Sequence, residues 1–150
     1  MGRRDPYVVS ATMRLVRSKD TTPEKVLRKA LWSEGFRFRL HYKRLAGKPD
    51  IVFPSAQVAV FVDGDFWHGN QWRLRGLSSL EKQFEGSDNA PYWVRKIQGN
   101  VIRDSAATTK LEGEGWHVIR LWESELKKDL EACVKRVSET VSERKRIVQR

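Results

Sequence analysis

Two short apolar runs, Ile51–Val52–Phe53 and Val58–Ala59–Val60–Phe61–Val62, follow one another with only Pro54–Ser55–Ala56–Gln57 between them. The second run has no polar alternation. A strand of that composition must be covered on both faces, so it belongs in the middle of a sheet, and the rest of the chain has to supply the layers around it. If the two runs pair as a hairpin with Phe53 opposite Val58, Asp50 falls opposite Phe61 and Asp63 lies about one pair-spacing further on. Carboxylates from both strands then converge at one end of the sheet. Immediately beyond come Gly64, Asp65 and the triplet Phe66–Trp67–His68.

The remaining chain reads as helices and strands around that hairpin. Thr22 is placed to cap a helix with Pro23 at its first position, Val26, Leu27, Ala30 and Leu31 form its apolar stripe, and Gly35 ends it. Glu24 in the first turn either complements the helix dipole or carries a carboxylate toward the acidic end of the sheet. Phe36–Arg37–Phe38–Arg39–Leu40 alternates as a half-buried strand, and a basic run continues through Lys43, Arg44 and Lys48. Residues 69–91 are polar and aperiodic, a long loop with Trp72, Arg73 and Arg75. Pro91 to Leu111 reads as a helix with Trp93 or Val94, Ile97, Val101 and Ile102 on its apolar face. Trp116–Trp122 is a strand, and a helix runs from Glu123 onward with Leu126, Leu130, Cys133, Val134 and Val137 inward. The order α-β-β-β-α-β-α predicts an α/β fold with a mixed central sheet flanked by helices. Residues 1–20 form a basic arm, solvated or laid along a DNA groove, residues 21–142 the domain, and residues 143–150 a basic tail read as a solvated end.

Charge narrows the partner. There are 29 Lys and Arg against 19 Asp and Glu, a net +10, which for a small domain points to a polyanion. Six tryptophans among these cations suit stacking on bases as well as phosphate neutralisation. No apolar run approaches the roughly 18 residues that a membrane span needs. The N-terminus lacks the apolar core of a secretion signal, and the single Cys133 excludes an internal disulfide. The expected setting is cytoplasmic, with no membrane partner.

Asp50 and Asp63 are the paired carboxylates on rigid elements closest in sequence to a histidine, His68. Hard oxygen ligands with a backbone carbonyl and waters suit Mg²⁺. An ion there polarises a phosphodiester and lowers the pKa of a bound water. His68 is a fitting acceptor for the proton of an attacking water. Metal-assisted phosphodiester cleavage is the chemistry these residues favour together.

Glu24, Gly47–Lys48–Pro49–Asp50 and Val60–Phe61–Val62–Asp63–Gly64–Asp65–Phe66–Trp67–His68 resemble the very-short-patch-repair (Vsr) mismatch endonucleases. Trp93, Lys96, Ile97, Asn100, Arg103 and Asp104, then Gly115–Trp116–His117–Val118 and Leu121–Trp122–Glu123, extend the likeness over residues 10–130. The resemblance implies a fold of the restriction-endonuclease (PD-(D/E)XK) type and a Mg²⁺-dependent nick in double-stranded DNA beside the thymine of a T:G mismatch. It implies Asp50 as the central metal ligand with the Val62 carbonyl, His68 as general base and Glu24 as the orienter of His68 or of a water; Asp63, paired with Asp50 by the residues themselves, is expected as a further ligand. It also implies that Phe66, Trp67 and Trp93 wedge into the base stack; Met13, Arg14, Arg17 and Lys48, in the basic segments, are expected to contact DNA. A cytosine methyltransferase or a mismatch-repair protein is the implied protein partner, and the chain is expected to be a monomer.

One departure stands out. The family's structural zinc is held by cysteines and a histidine, and the corresponding positions here read Asp65, Asn70, Trp72 and Ser124. No structural zinc is expected, and something else must brace residues 69–91. Asp65 reads as a solvated turn residue or as a third carboxylate at the metal. Two other functions stay open: a restriction-type nuclease triggered by a modified base or another distortion, and an inactive DNA-binding module.

Overall fold

In the computed structural model, which describes residues 21–148, the hairpin forms in the expected register. Strand β2 (Ile51–Phe53) pairs antiparallel with β3 (Val58–Asp63), Phe53 opposite Val58 and Ile51 opposite Val60. Strand β4 (His117–Trp122) runs parallel to β3 on its other side, and the two-residue β1 (Arg39–Leu40) pairs antiparallel with β2. The sheet order is β1-β2-β3-β4. Met13, Arg14, Arg17 and the rest of the 1–20 arm lie outside the described residues.

Because side chains alternate across a strand, the apolar run of β3 feeds two cores. Val58 and Val60 join Phe53, Ile119 and Leu121 in one. There they meet Leu27 and Leu31 of α1 (Thr22–Ser33), Leu126 of α5 (Glu123–Lys128), and Val137 and Val141 of α6 (Leu130–Val148). Ala59 and Phe61 face the other way, against Leu111 at the end of α4 (Ala90–Gly113). The parallel β3–β4 pair needs a crossover. Helix α4 lies within it, packed on β4.

Several expectations shift in detail. Thr21, not Thr22, caps α1, accepting the Glu24 N–H at 3.4 Å. The helix buries Glu24, 1% exposed, with Leu27 and Leu31, while Val26 is 42% exposed. The 36–40 alternation yields only two paired residues. Phe36 and Phe38 instead pack edge-on against Phe53, with ring centroids 6.2 and 5.8 Å away. Arg37 lies 3.5 Å over the Trp32 ring. The 69–91 segment contains two short helices, α2 (Gln71–Leu74) and α3 (Leu80–Gln83). The final helix breaks at Asp129, whose carboxylate accepts the Ala132 N–H and so starts α6 anew. Arg144, read as part of a solvated tail, donates to the carbonyls of Ala56 and Gly115 at 3.0 and 2.8 Å, tying α6 to the hairpin turn. No helix among the described residues is long and apolar enough to cross a membrane.

Candidate active site

The hairpin register delivers Asp50 to the end of β2, beside the last residues of β3. Its Oδ2 accepts the Val62 N–H at 2.7 Å. Burial pushes the Asp50 carboxyl up to about 7; the Val62 hydrogen bond opposes this, and the carboxylates of Glu24 and Asp63 add to it. Glu24 reaches the same place from α1, because its position on the buried stripe aims it at the sheet rather than at solvent. His41, just past β1, donates from Nε2 to Glu24 Oε1 at 2.7 Å. The ligand atoms of Glu24, His41 and Asp50 lie within 4.8 Å of one another.

A second group gathers on the far side of β3. His68 Nδ1 is hydrogen-bonded to Asp104 Oδ2 and stands 3.8 Å from Asp63 Oδ1. Burial works against a charged imidazole here, but the Asp104 hydrogen bond and the charges of Asp63 and Asp104 outweigh it and hold the His68 pKa above its ordinary value. Asp63 is itself raised by burial, against the pull of His68 and Arg120. Arg120 Nη1 bonds both Asp63 oxygens, at 3.2 and 3.0 Å; its Nη2 donates to the Asp104 carbonyl and its Nε to Thr108. Its guanidinium also stacks 4.0 Å over the Phe61 ring. Asp63 is thus grouped with His68 and Asp104, with both oxygens engaged by an arginine, and it still lies close enough to Asp50 for its charge to add to that carboxyl's raised pKa. A cleft of about 720 Å³ opens beside this group, lined by Asp63, His68, Trp72, Asp104 and Trp122 among others.

Helix α4 clamps the turn that carries His68. Ile97, Asn100, Val101, Asp104 and Thr108 share one face at helical spacing. Asn100 donates to the Trp67 carbonyl at 3.0 Å, and Asp104 takes His68. Gly69 makes the close approach possible: at φ +78°, an added Cβ would sit 2.9 Å from Val101 Cγ2. Val101 and Ile102, expected on the buried face, are 43% and 68% exposed, because this part of α4 borders the cleft instead of the core.

The positions where the resemblance places a structural zinc contain a hydrogen-bonded hub. The Asp65 carboxylate accepts from Asn70 Nδ2 (2.8 Å), Ser124 N (3.1 Å) and Ser124 Oγ (2.7 Å). Its carbonyl accepts the N–H groups of Asn70 and Gln71. Asp65 is therefore neither a solvated turn residue nor part of the Asp50 or Asp63 group. An amide and a hydroxyl are not ligands of a structural zinc site, and an indole N–H is a donor only, so this set does not fit zinc. The hub instead pins the start of α2 to that of α5.

Phe66, Trp67 and Trp93 pack together, with Phe66 5.1 Å from Trp67 and 5.8 Å from Trp93 between centroids. Phe84 stacks on Trp93 at 6.2 Å. All three expected wedge residues are half-buried in this cluster at one edge of the site. Lys48 is exposed and left-handed, φ +52°.

Sequence reading gave His41 and Arg120 no site role, and Asp104 no role beyond its place in the resemblance. Asp104 was detectable as the i+7 partner of Ile97 on α4. His41 needed the register of β1, and Arg120 looked like an ordinary position of β4.

Two carboxyls raised by burial, Asp50 and Asp63, next to a histidine oriented by a carboxylate, suit hydrolysis of a phosphodiester at a cation. On a basic α/β domain, they define a nuclease. A family model described as "DNA mismatch endonuclease Vsr" matches residues 3–74. The type II nicking enzyme V.NmeDIP of Neisseria meningitidis serogroup C is 38% identical over 144 residues, 96% of this chain and 93% of that protein. V.XorIIP of Xanthomonas oryzae, also a type II nicking enzyme, is 46% identical over 114 residues, 76% of this chain and 78% of that one. The DNA mismatch endonuclease Vsr of Escherichia coli is 32% identical over 123 residues, 82% of this chain and 74% of that one. The chain belongs to the Vsr family and is an endodeoxyribonuclease.

Proposed function

We propose that the chain is a Mg²⁺-dependent nicking endonuclease, built on the restriction-endonuclease-type fold, that hydrolyses one strand of double-stranded DNA beside a T:G mismatch. The observation that carries this reading is the junction of two groups at the end of β3: Glu24 with Asp50, and His68 with Asp104. A carboxyl pushed to about 7 by burial next to a second buried carboxylate is an environment that a divalent cation would relieve. Asp50 and the Val62 carbonyl would hold Mg²⁺ with Glu24 beside them. When bound, the ion supplies charge stabilisation at the phosphodiester and at the leaving oxygen. Asp63, expected as a ligand, would also act as the charge partner of His68, with Arg120 bonded to both its oxygens.

The chain's own residues handle the proton. Asp104 engages His68 Nδ1, which leaves Nε2 to accept a proton from the attacking water. The same carboxylate steadies the imidazolium that results. Phe66, Trp67 and Trp93 would wedge into the duplex, where unstacking is cheapest beside an already weak pair. Lys48, with Met13, Arg14 and Arg17 of the basic arm, would hold the backbone. The relatives named as nicking enzymes, and the one named as a mismatch endonuclease, support single-strand cutting and the mismatch trigger. A monomer acting in the cytoplasm, alongside a cytosine methyltransferase or a mismatch-repair protein, completes the proposal.

The test is Mg²⁺-dependent nicking of a T:G duplex beside its fully paired counterpart. The mismatch substrate alone should be cut, on one strand. Equal cutting of both would sink the mismatch trigger and favour a restriction-type activity. Binding without cutting of either would leave only a DNA-binding module.

A further inference from the structure

The strand β1 ends at Leu40, but its pairing with β2 continues for one more step. The His41 N–H donates to the Asp50 carbonyl at 3.0 Å, and that of Tyr42 to the Pro49 carbonyl at 3.2 Å. His41 is therefore the cross-strand neighbour of Asp50. Its backbone is left-handed, φ +48°, which a non-glycine residue adopts only when its surroundings hold it there. This twist accompanies a side chain turned toward α1, where Nε2 meets Glu24 Oε1 at 2.7 Å. Arg28 Nη1 stands 3.5 Å from the same oxygen, one helical turn along α1. Side-chain exposure is 19% for His41 and 2% for Glu24, so the bond is largely shielded from water.

A buried carboxylate needs its rotamer fixed if it is to serve a cation, and donors behind the ligands commonly do this. His41 supplies such a donor to Glu24, and the ligand atoms of His41, Glu24 and Asp50 all lie within 4.8 Å of one another. We propose that His41 is a positioning residue of the cation site: by donating Nε2–H to Glu24 it holds that carboxylate against Asp50 and sets the affinity for the divalent ion. The inference rests on reading Glu24 and Asp50 as the cation site.

The experiment is Mn²⁺ titration of the full chain without DNA, followed by electron paramagnetic resonance, alongside the Mg²⁺ concentration that half-saturates nicking of T:G duplex. His41→Ala should weaken Mn²⁺ binding roughly tenfold or more and raise the half-saturating Mg²⁺ by a similar factor. Duplex affinity in chelator should be unchanged. His41→Gln, which keeps an N–H donor at similar reach, should restore both to within about threefold of the parent, a rescue that a merely structural role would not produce. Unaltered Mn²⁺ affinity in a folded His41→Ala protein overturns the proposal. So does a His41→Gln protein as impaired as His41→Ala, because the imidazole would then be needed as a ligand in its own right. If circular dichroism shows His41→Ala to be unfolded, His41→Gln decides alone, and a loss greater than tenfold counts against the proposal. A parent chain that binds no Mn²⁺ overturns the cation site itself together with the inference. A parent that binds Mn²⁺ while His41→Ala is unaffected overturns the inference alone.

Discussion

At the scale of single residues, the proposed proton chemistry turns on the His68–Asp104 contact. His68 must be neutral to accept a proton, and its pKa is held above the usual value because the neighbouring carboxylates outweigh burial. The nicking rate at saturating Mg²⁺ should therefore rise with pH through a step that lies above about 6.5, the ordinary imidazole value. Asp104→Asn removes one of those carboxylates, so the step should move to lower pH. The maximal rate should fall about 10²–10⁴-fold, since an amide fixes neither the tautomer nor the imidazolium. Single-turnover rates from pH 5 to 9 check both, and a step that stays in place would refute the assignment. Asp65 invites a separate prediction, because its carboxylate accepts three hydrogen bonds. Asp65→Ala strands Asn70 and Ser124 together and should cost about 2 kcal/mol in urea unfolding. Asp65→Asn, which keeps one acceptor, should cost less. An Asp65→Ala protein as stable as its parent would show that the hub does not brace this turn.

At the scale of elements, the register of β2 on β3 was legible before any coordinates, because an unbroken apolar strand has few ways to be covered. With it came Asp50 at the sheet's end. What the sequence did not reveal were contacts that depend on how one element is rotated against another. Helix α1 turns Glu24 inward and Val26 outward, although a stripe centred on Val26 fits the apolar pattern equally well. Helix α4 presents a mixed face, Ile97–Asn100–Val101–Asp104, to the His68 turn, and polar members hide such a face from a hydrophobic period. The short helices α2 and α3 were invisible because the hub and the Phe84–Trp93 stack, not an apolar stripe, anchor their segment. The α4 clamp depends on the missing side chain of Gly69. Gly69→Ala adds a methyl 2.9 Å from Val101 Cγ2 at a positive φ, so α4 must retreat from His68. Stability should drop by about 1–3 kcal/mol and nicking should drop with it. Adding Val101→Ala returns the space but not the favourable φ. The double variant should therefore regain nicking while staying less stable than the parent; no recovery would mean that the contact does not transmit to His68.

At the scale of the whole molecule, the site is a place where folding and function oppose each other. Glu24 and Asp63 are among the few buried charged groups described, and both stand next to Asp50. Asp50 has an ordinary pKa of 3.8 and one of about 7 in the fold. A carboxyl raised in this way contributes stability that is fully present below about 3.8 and is lost as pH rises through about 7. Asp63 and His68 are also raised, so they push in the same direction. The metal-free chain should accordingly lose stability from mildly acid to neutral pH, where a typical globular protein is near its best. A bound divalent ion should return much of it, since it binds the folded state alone. Asp50→Asn isolates the contribution of this carboxyl. In chelator at pH 8, it should be more stable than the parent by on the order of 2–4 kcal/mol, and near pH 4 the two should converge. Added Mg²⁺ should stabilise the parent and leave Asp50→Asn nearly unmoved, while the variant binds duplex DNA and fails to nick it. Urea unfolding at pH 4, 6 and 8, with and without Mg²⁺, measures every element of this pattern. A variant less stable than its parent at pH 8 in chelator would mean that Asp50 serves the fold, and that its ionised form is not held there for a cation.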